Sequence, residues 1–136
     1  MAFSDPGKDR QIQWSPGPEA PVVTVAVAVK RGDVLGYSSG WKKAIATTGG
    51  VIQGRLVALA DAAANGSCPV AHVAVVGGYS GATPGGYVYA NEGTGSDGTV
   101  TQTAPSTSGD ANTIIGIALS ATEVLFFLNS RADSTA

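Results

Sequence analysis

Val76 to Leu128 reads VGGYSGATPGGYVYANEGTGSDGTVTQTAPSTSGDANTIIGIALSATEVLFFL. Short alternating apolar runs stand between turn residues in this stretch: Tyr87-Val88-Tyr89, Thr99-Val100-Thr101, Ile114 to Leu119 and Val124 to Leu128. A Thr83-Pro84-Gly85-Gly86 turn precedes the first run, and Gly116 interrupts the third. Runs of this length bounded by Gly, Pro, Asn and Ser predict β-hairpins and not helices. An amphipathic helix of ten or more residues is not predicted anywhere in the chain.

The first half follows the same plan. Val22 to Val29 alternates, with Val23, Val25, Val27 and Val29 on one face and Val22, Thr24, Ala26 and Ala28 on the other. Lys30-Arg31-Gly32-Asp33 is a turn, Val34 to Tyr37 a strand, Ser38 to Gly40 a second turn and Trp41 to Ile45 the return. Val51 to Ala60 reads as a strand broken by Gly54, Asp61 to Gly66 as one helical turn, and Pro69 to Val76 as a further strand. Gly32-Asp33-Val34-Leu35 resembles Gly85-Gly86-Tyr87-Val88. Ile52 to Leu59 resembles Ile114 to Leu119, with Gly54 set against Gly116. A strand plan given twice predicts an all-β fold, a small barrel or a two-sheet sandwich.

Residues 1–21 are predicted to be an extended arm, because Pro6, Pro16, Pro18 and Pro21 oppose helix and central strand alike. Phe3, Ile12 and Trp14 are spaced along it as isolated anchors for pockets on a neighbour, with Pro16 and Pro18 holding the arm extended. Ser130 to Ala136 is predicted to be a frayed polar tail. The domain proper is then 22–129.

Charged residues make up 13% of the 136-residue chain, about half the usual share, and the net charge is −2. This composition predicts no nucleic-acid footprint and a surface that meets other protein. No apolar run reaches membrane-spanning length, and Met1 to Arg10 lacks the apolar core of a secretory signal. Cys68 stands alone, so neither an intramolecular disulfide nor a zinc cluster is expected.

Catalytic signals are thin. His72 is the only histidine and falls within a predicted strand between Ala71 and Val73. The carboxylates fall singly, mostly in turns. Arg31-Gly32-Asp33 spells a cell-adhesion tripeptide but reads as a hairpin turn. Trp41, Lys42 and Lys43 offer a contact surface for an acidic neighbour, short of a stacking platform for nucleic acid. The reading is a non-enzyme without catalytic, metal or cofactor residues.

The chain resembles the capsid cement, or head decoration, proteins of tailed bacteriophages. The resemblance runs from about Val22 to Leu128. It rests on Gly32-Asp33-Val34-Leu35, the Gly54 strand, Thr83 to Tyr89, Thr101-Gln102-Thr103-Ala104-Pro105 and Ile115 to Thr122. Similar strings occur in other phage virion modules, tail parts included. The resemblance implies a β-barrel or β-tulip fold, commonly trimeric, that is made in the host cytoplasm and ends on the capsid exterior. It implies the major capsid protein and other copies of itself as partners, and it carries over no catalytic residue. The alternatives are a tail or baseplate module, and a receptor- or carbohydrate-binding domain on the virion.

Overall fold

The computed structural model describes residues 2–17 and 20–136. Among them there is no helix, and the fold is all-β as expected. The strands are β1 (Gln11–Trp14), β2 (Val22–Thr24), β3 (Val34–Tyr37), β4 (Trp41–Lys43), β5 (Leu56–Ala58), β6 (Ser67–Ala71), β7 (Val73–Gly77), β8 (Tyr87–Ala90), β9 (Val100–Thr101), β10 (Gly116–Ala118) and β11 (Glu123–Phe127). They form a five-stranded sheet, β2-β6-β5-β3-β4, and a six-stranded sheet, β1-β7-β11-β10-β8-β9. Every strand pair is antiparallel.

The two sheets are copies of one topology. Read β2 to β6 against β7 to β11, and the order β2-β6-β5-β3-β4 becomes β7-β11-β10-β8-β9. Backbone hydrogen bonds fix the equivalence residue by residue. Gly32 N donates to Ala58 O as Gly85 N does to Ala118 O, and Ala58 N donates to Asp33 O as Ala118 N does to Gly86 O. Arg55 N donates to Leu35 O as Ile115 N does to Val88 O. The matched turns at Gly32 and Gly85 are therefore structural counterparts. Gly54 and Gly116 are not, because the bonds set Arg55 against Ile115 and so Leu56 against Gly116.

Side-chain alternation gives each repeat its own interior. Val25, Val29, Leu35, Ala58, Cys68 and Val70 pack together inside the first repeat. Its edge closes on itself, since Ala26 N donates to Trp41 O at 2.8 Å and so joins the chain after β2 to β4. Val88 and Val124, the counterparts of Leu35 and Val70, form a second core with Tyr79, Val76, Val100, Ile115, Phe126 and Leu128. Val34 and Val57 from the outer face of the first repeat reach into that second core. The five-stranded sheet is thus apolar on both faces, which drives the packing of one repeat on the other.

Several elements differ from expectation. Beyond Thr24 the chain continues only as isolated bridges at Val25 and Val29, yet both valines are fully buried, so the alternation holds where the strand does not. The strand expected over Val51 to Ala60 narrows to β5. Asp61 to Gly66 forms a turn and no helix, with Asn65 at φ 66°. The strand expected over Pro69 to Val76 breaks at exposed His72, where the chain leaves one sheet for the other. The tail is not frayed: Thr135 bridges Ala111, and Asp133 pairs with Arg55 at 2.5 Å.

Two consequences can be measured. A Cβ on Gly36 would overlap the Gln53 carbonyl oxygen, and backbone cannot step aside as a flexible side chain can. Gly36→Ala is expected to cost about 1–3 kcal/mol in urea unfolding, and an unchanged midpoint would contradict that close approach. In the tail, the hydrogen bond from Arg55 holds the Asp133 carboxyl below the usual aspartate range. A depressed folded pKa gives a contribution that is present above the unfolded value and lost as pH falls through the folded one. Hydrogen-exchange protection of the Ala136 amide, which donates to Asp110 O, should therefore fall on acidification below the normal aspartate range.

Candidate functional surface

The N-terminal segment does not stand off from the domain as an arm. β1 pairs with β7, Ser4 bridges Ser80, and Phe3 stacks on Tyr79 with ring centroids 5.6 Å apart. Ile12 packs against the second core. Phe3 and Ile12 thus spend their apolar surface within the chain, and the cause is an available strand edge beside an open core. Trp14 is different, at 50% exposure, and Pro16 is exposed as well. Pro18 lies outside the described residues.

A β-bulge separates Ile12 from Trp14. Ile12 pairs with Val76, but Trp14 pairs with Val75, so Gln13 is the extra residue. In a regular strand Ile12 and Trp14 would share a face. The bulge resets the alternation, leaving Ile12 on the core and turning Trp14 to the outer face.

Trp14 there begins a cross-strand row. It pairs with Val75, Val75 with Leu125, Leu125 with Ile117, and Ile117 with Tyr87. Five large apolar side chains cross five strands on the outer face of the six-stranded sheet, spanning roughly 20 Å at the usual strand spacing. Trp14 and Tyr87 are half exposed at the ends, and Val75, Leu125 and Ile117 are partly exposed between them. Val73, Phe127 and Tyr89 extend the apolar face two residues along their strands, all partly exposed. The row contains no charged residue, and the Arg131 guanidinium lies 5.9 Å from the Tyr87 ring centre at one end.

The duplication shows what such a row does when covered. The counterparts of Tyr87, Ile117 and Leu125 in the first repeat are Val34, Val57 and Ala71, themselves a cross-strand row. Those three are buried, and Val34 and Val57 lie in the core built by the second repeat. The same face is therefore an internal interface in one repeat and a free surface in the other.

Trp41, Lys42 and Lys43 do not make one surface. β4 alternation separates Lys42 from the other two. Trp41 packs against the first core and meets Tyr37 edge-on at 5.4 Å, while Tyr37 itself is 66% exposed.

Arg10, which no motif in the sequence marks, is fully buried. Its guanidinium pairs with Asp33, lies 3.6 Å from Asp5, and donates to the Gly7 and Gly32 carbonyls. Burial works against its charge, but Asp5 and Asp33 outweigh that effect and raise its pKa. Burial likewise pushes the Asp5 carboxyl up, against the pull of Arg10. The group joins the N-terminal segment to the turn before β3. It also takes Asp33 of the Arg-Gly-Asp string out of solvent, so that string presents no free carboxylate.

Cys68 is buried, and burial raises its thiol pKa. His72 is exposed at the corner between β6 and β7. Among the described residues no three His, Cys, Asp or Glu side chains converge on a common point. No protein-family model matches the chain, and neither a curated protein nor a solved structure matches it.

Proposed function

We propose that this chain is a virion structural protein that binds the outer surface of an assembled phage capsid and cements it. The face that meets the shell is the outer face of the six-stranded sheet. The observation that carries this reading is the uncharged row Trp14–Val75–Leu125–Ile117–Tyr87, whose counterpart in the first repeat is buried. A contiguous exposed apolar face on a chain this poor in charge favours a protein partner, and aromatic residues at its ends suit the anchors that dominate interface energetics. The Thr83 to Tyr89, Thr101 to Pro105 and Ile115 to Thr122 strings resemble those of phage virion proteins, tail parts included, and the likeness of the whole domain to decoration proteins favours a shell as that partner.

Cementing on this reading is mass action. A protein that binds the assembled shell and not its separated subunits stabilises assembly in proportion to occupancy. Several copies joined in one closed oligomer, a trimer by the family resemblance, would bridge neighbouring major capsid protein subunits and gain avidity. The test mixes purified protein with expanded, undecorated capsids and follows co-sedimentation and the temperature of shell disruption. Saturable binding with a raised disruption temperature is the expected result. A folded protein that stays in the supernatant would sink the reading.

A further inference from the structure

Three loops meet on a small alanine cluster, and they bring two carboxyl groups into contact. Ala46 N donates to Asn91 O at 2.8 Å, and Ala111 N donates to Ala46 O at 2.9 Å. The chain after β4, the β8–β9 hairpin and the chain before β10 therefore run side by side, with Ala46, Ala90 and Ala111 buried together where they meet. Next along the loops, Thr47 Oγ1 accepts from Gly93 N at 2.9 Å. Asp110 Oδ1 accepts from Thr48 N at 2.7 Å and from Thr48 Oγ1 at 2.6 Å. Asp110 is 1% exposed, and its other oxygen, Oδ2, is buried without a hydrogen-bond donor. With Oδ1 turned to Thr48, Oδ2 is the oxygen left for Glu92, whose side chain meets the Asp110 carboxyl within hydrogen-bonding reach. That contact raises the Glu92 pKa and lowers that of Asp110.

We propose that Glu92 and Asp110 together bind a hard divalent cation, calcium or magnesium, at the seam between the two repeats. Two carboxyl groups in contact cannot both ionise unless a proton or a cation stands between them. Among the described residues the ion pairs are made by Arg10 and Arg55, and neither involves Glu92 or Asp110. The donors are all oxygen, which suits calcium and magnesium and not the softer ions that favour thiolate or imidazole. Thr48 fixes the Asp110 carboxylate in advance, whereas Glu92 is exposed and can turn its carboxylate onto an ion from the solvent side. Water completes the coordination there, so the site is a weak one. A bound ion ties the β8–β9 hairpin to the chain before β10. Through Thr48 it also braces the second repeat against the first. The inference is independent of the capsid reading, and its test uses the protein alone.

Calcium and, separately, magnesium are titrated into the full chain at pH 7, with potassium chloride at matched ionic strength as the control for screening. Heat of binding and thermal unfolding are followed. One saturable event with at least one of the two ions is expected. At about ten times its dissociation constant the ion should raise the folded-to-unfolded ratio about tenfold. Glu92→Gln is an exposed change whose amide can still donate to Asp110, so the variant should fold and lose both signals. Metal binding needs the carboxylate and releases its proton, so native affinity should fall on acidification through the Glu92 pKa. A native chain that responds to neither ion beyond the potassium control would overturn the proposal and leave the pair bridged by a proton alone. An equal response from native protein and Glu92→Gln would also overturn it, because the ion would then sit elsewhere.

Discussion

Arg10→Ala is expected to destabilise the fold by about 3–5 kcal/mol, the usual cost of orphaning a buried ion-pair partner. Removing the guanidinium leaves Asp5 and Asp33 inside without their cation and strips the donors from the Gly7 and Gly32 carbonyls. Lost packing of the side chain's apolar stem adds to the effect. Urea unfolding at pH 7 reads it directly, and a change under 1 kcal/mol would show that the group is not a lock. The deficit should also narrow on acidification. Asp5 already titrates above its ordinary value because burial disfavours the anion, with Arg10 pulling the other way. A raised folded pKa means that the cost of the buried anion is present above that pKa and is relieved as pH falls through it. Without Arg10 the pull downward disappears, the Asp5 pKa climbs further, and protonation relieves more of the cost. Native protein and variant should therefore draw closer in stability from pH 7 toward pH 5. A gap that widens would reverse the sign of the argument.

Leu125→Glu is expected to lower binding to undecorated capsids at least about 30-fold while leaving the fold in place, since a central interface anchor is worth 2 kcal/mol or more. Leu125 sits at the middle of the outer row, between Val75 and Ile117, and points away from the core that Val124 and Phe126 fill. The carboxylate therefore stays in water in the free protein but has to be desolvated against the partner. Phe126→Glu is the contrasting change, because it places a charge in the core and should unfold the domain. Co-sedimentation of folded Leu125→Glu separates the possibilities. Undiminished binding by the variant would remove this face from the contact, and failure of the native protein to bind would remove the cement reading itself.

Much of the fold was legible because local signals agreed. Val34 to Tyr37 matched its strand residue for residue, and the Gly32 and Gly85 turns were matched from their sequence alone. The strand break at His72 was not legible, since the apolar run continues through it and periodicity carries no mark of a change of sheet. The tail misled for a related reason. Its polar composition says nothing of Arg55, which is distant in the chain and holds Asp133. Of the candidate contact residues, Trp14 alone emerged within a continuous exposed face. That outcome hung on the Gln13 bulge, which depends on how β1 meets β7. One signal for the outer row was present and unread. Val124-Leu125-Phe126-Phe127 is apolar on both faces of its strand, the pattern of a strand covered on both sides.

Alternation and turn chemistry act over a few residues, so the all-β class and the strand plan used twice were already written into the chain. Tertiary structure alone decided what each copy of the outer face became. Val34, Val57 and Ala71 were buried by the second repeat, whereas Tyr87, Ile117 and Leu125 were left open with Trp14 drawn in beside them. Burial is a property of which surfaces meet, and a row that crosses five strands exists only once their registers are set.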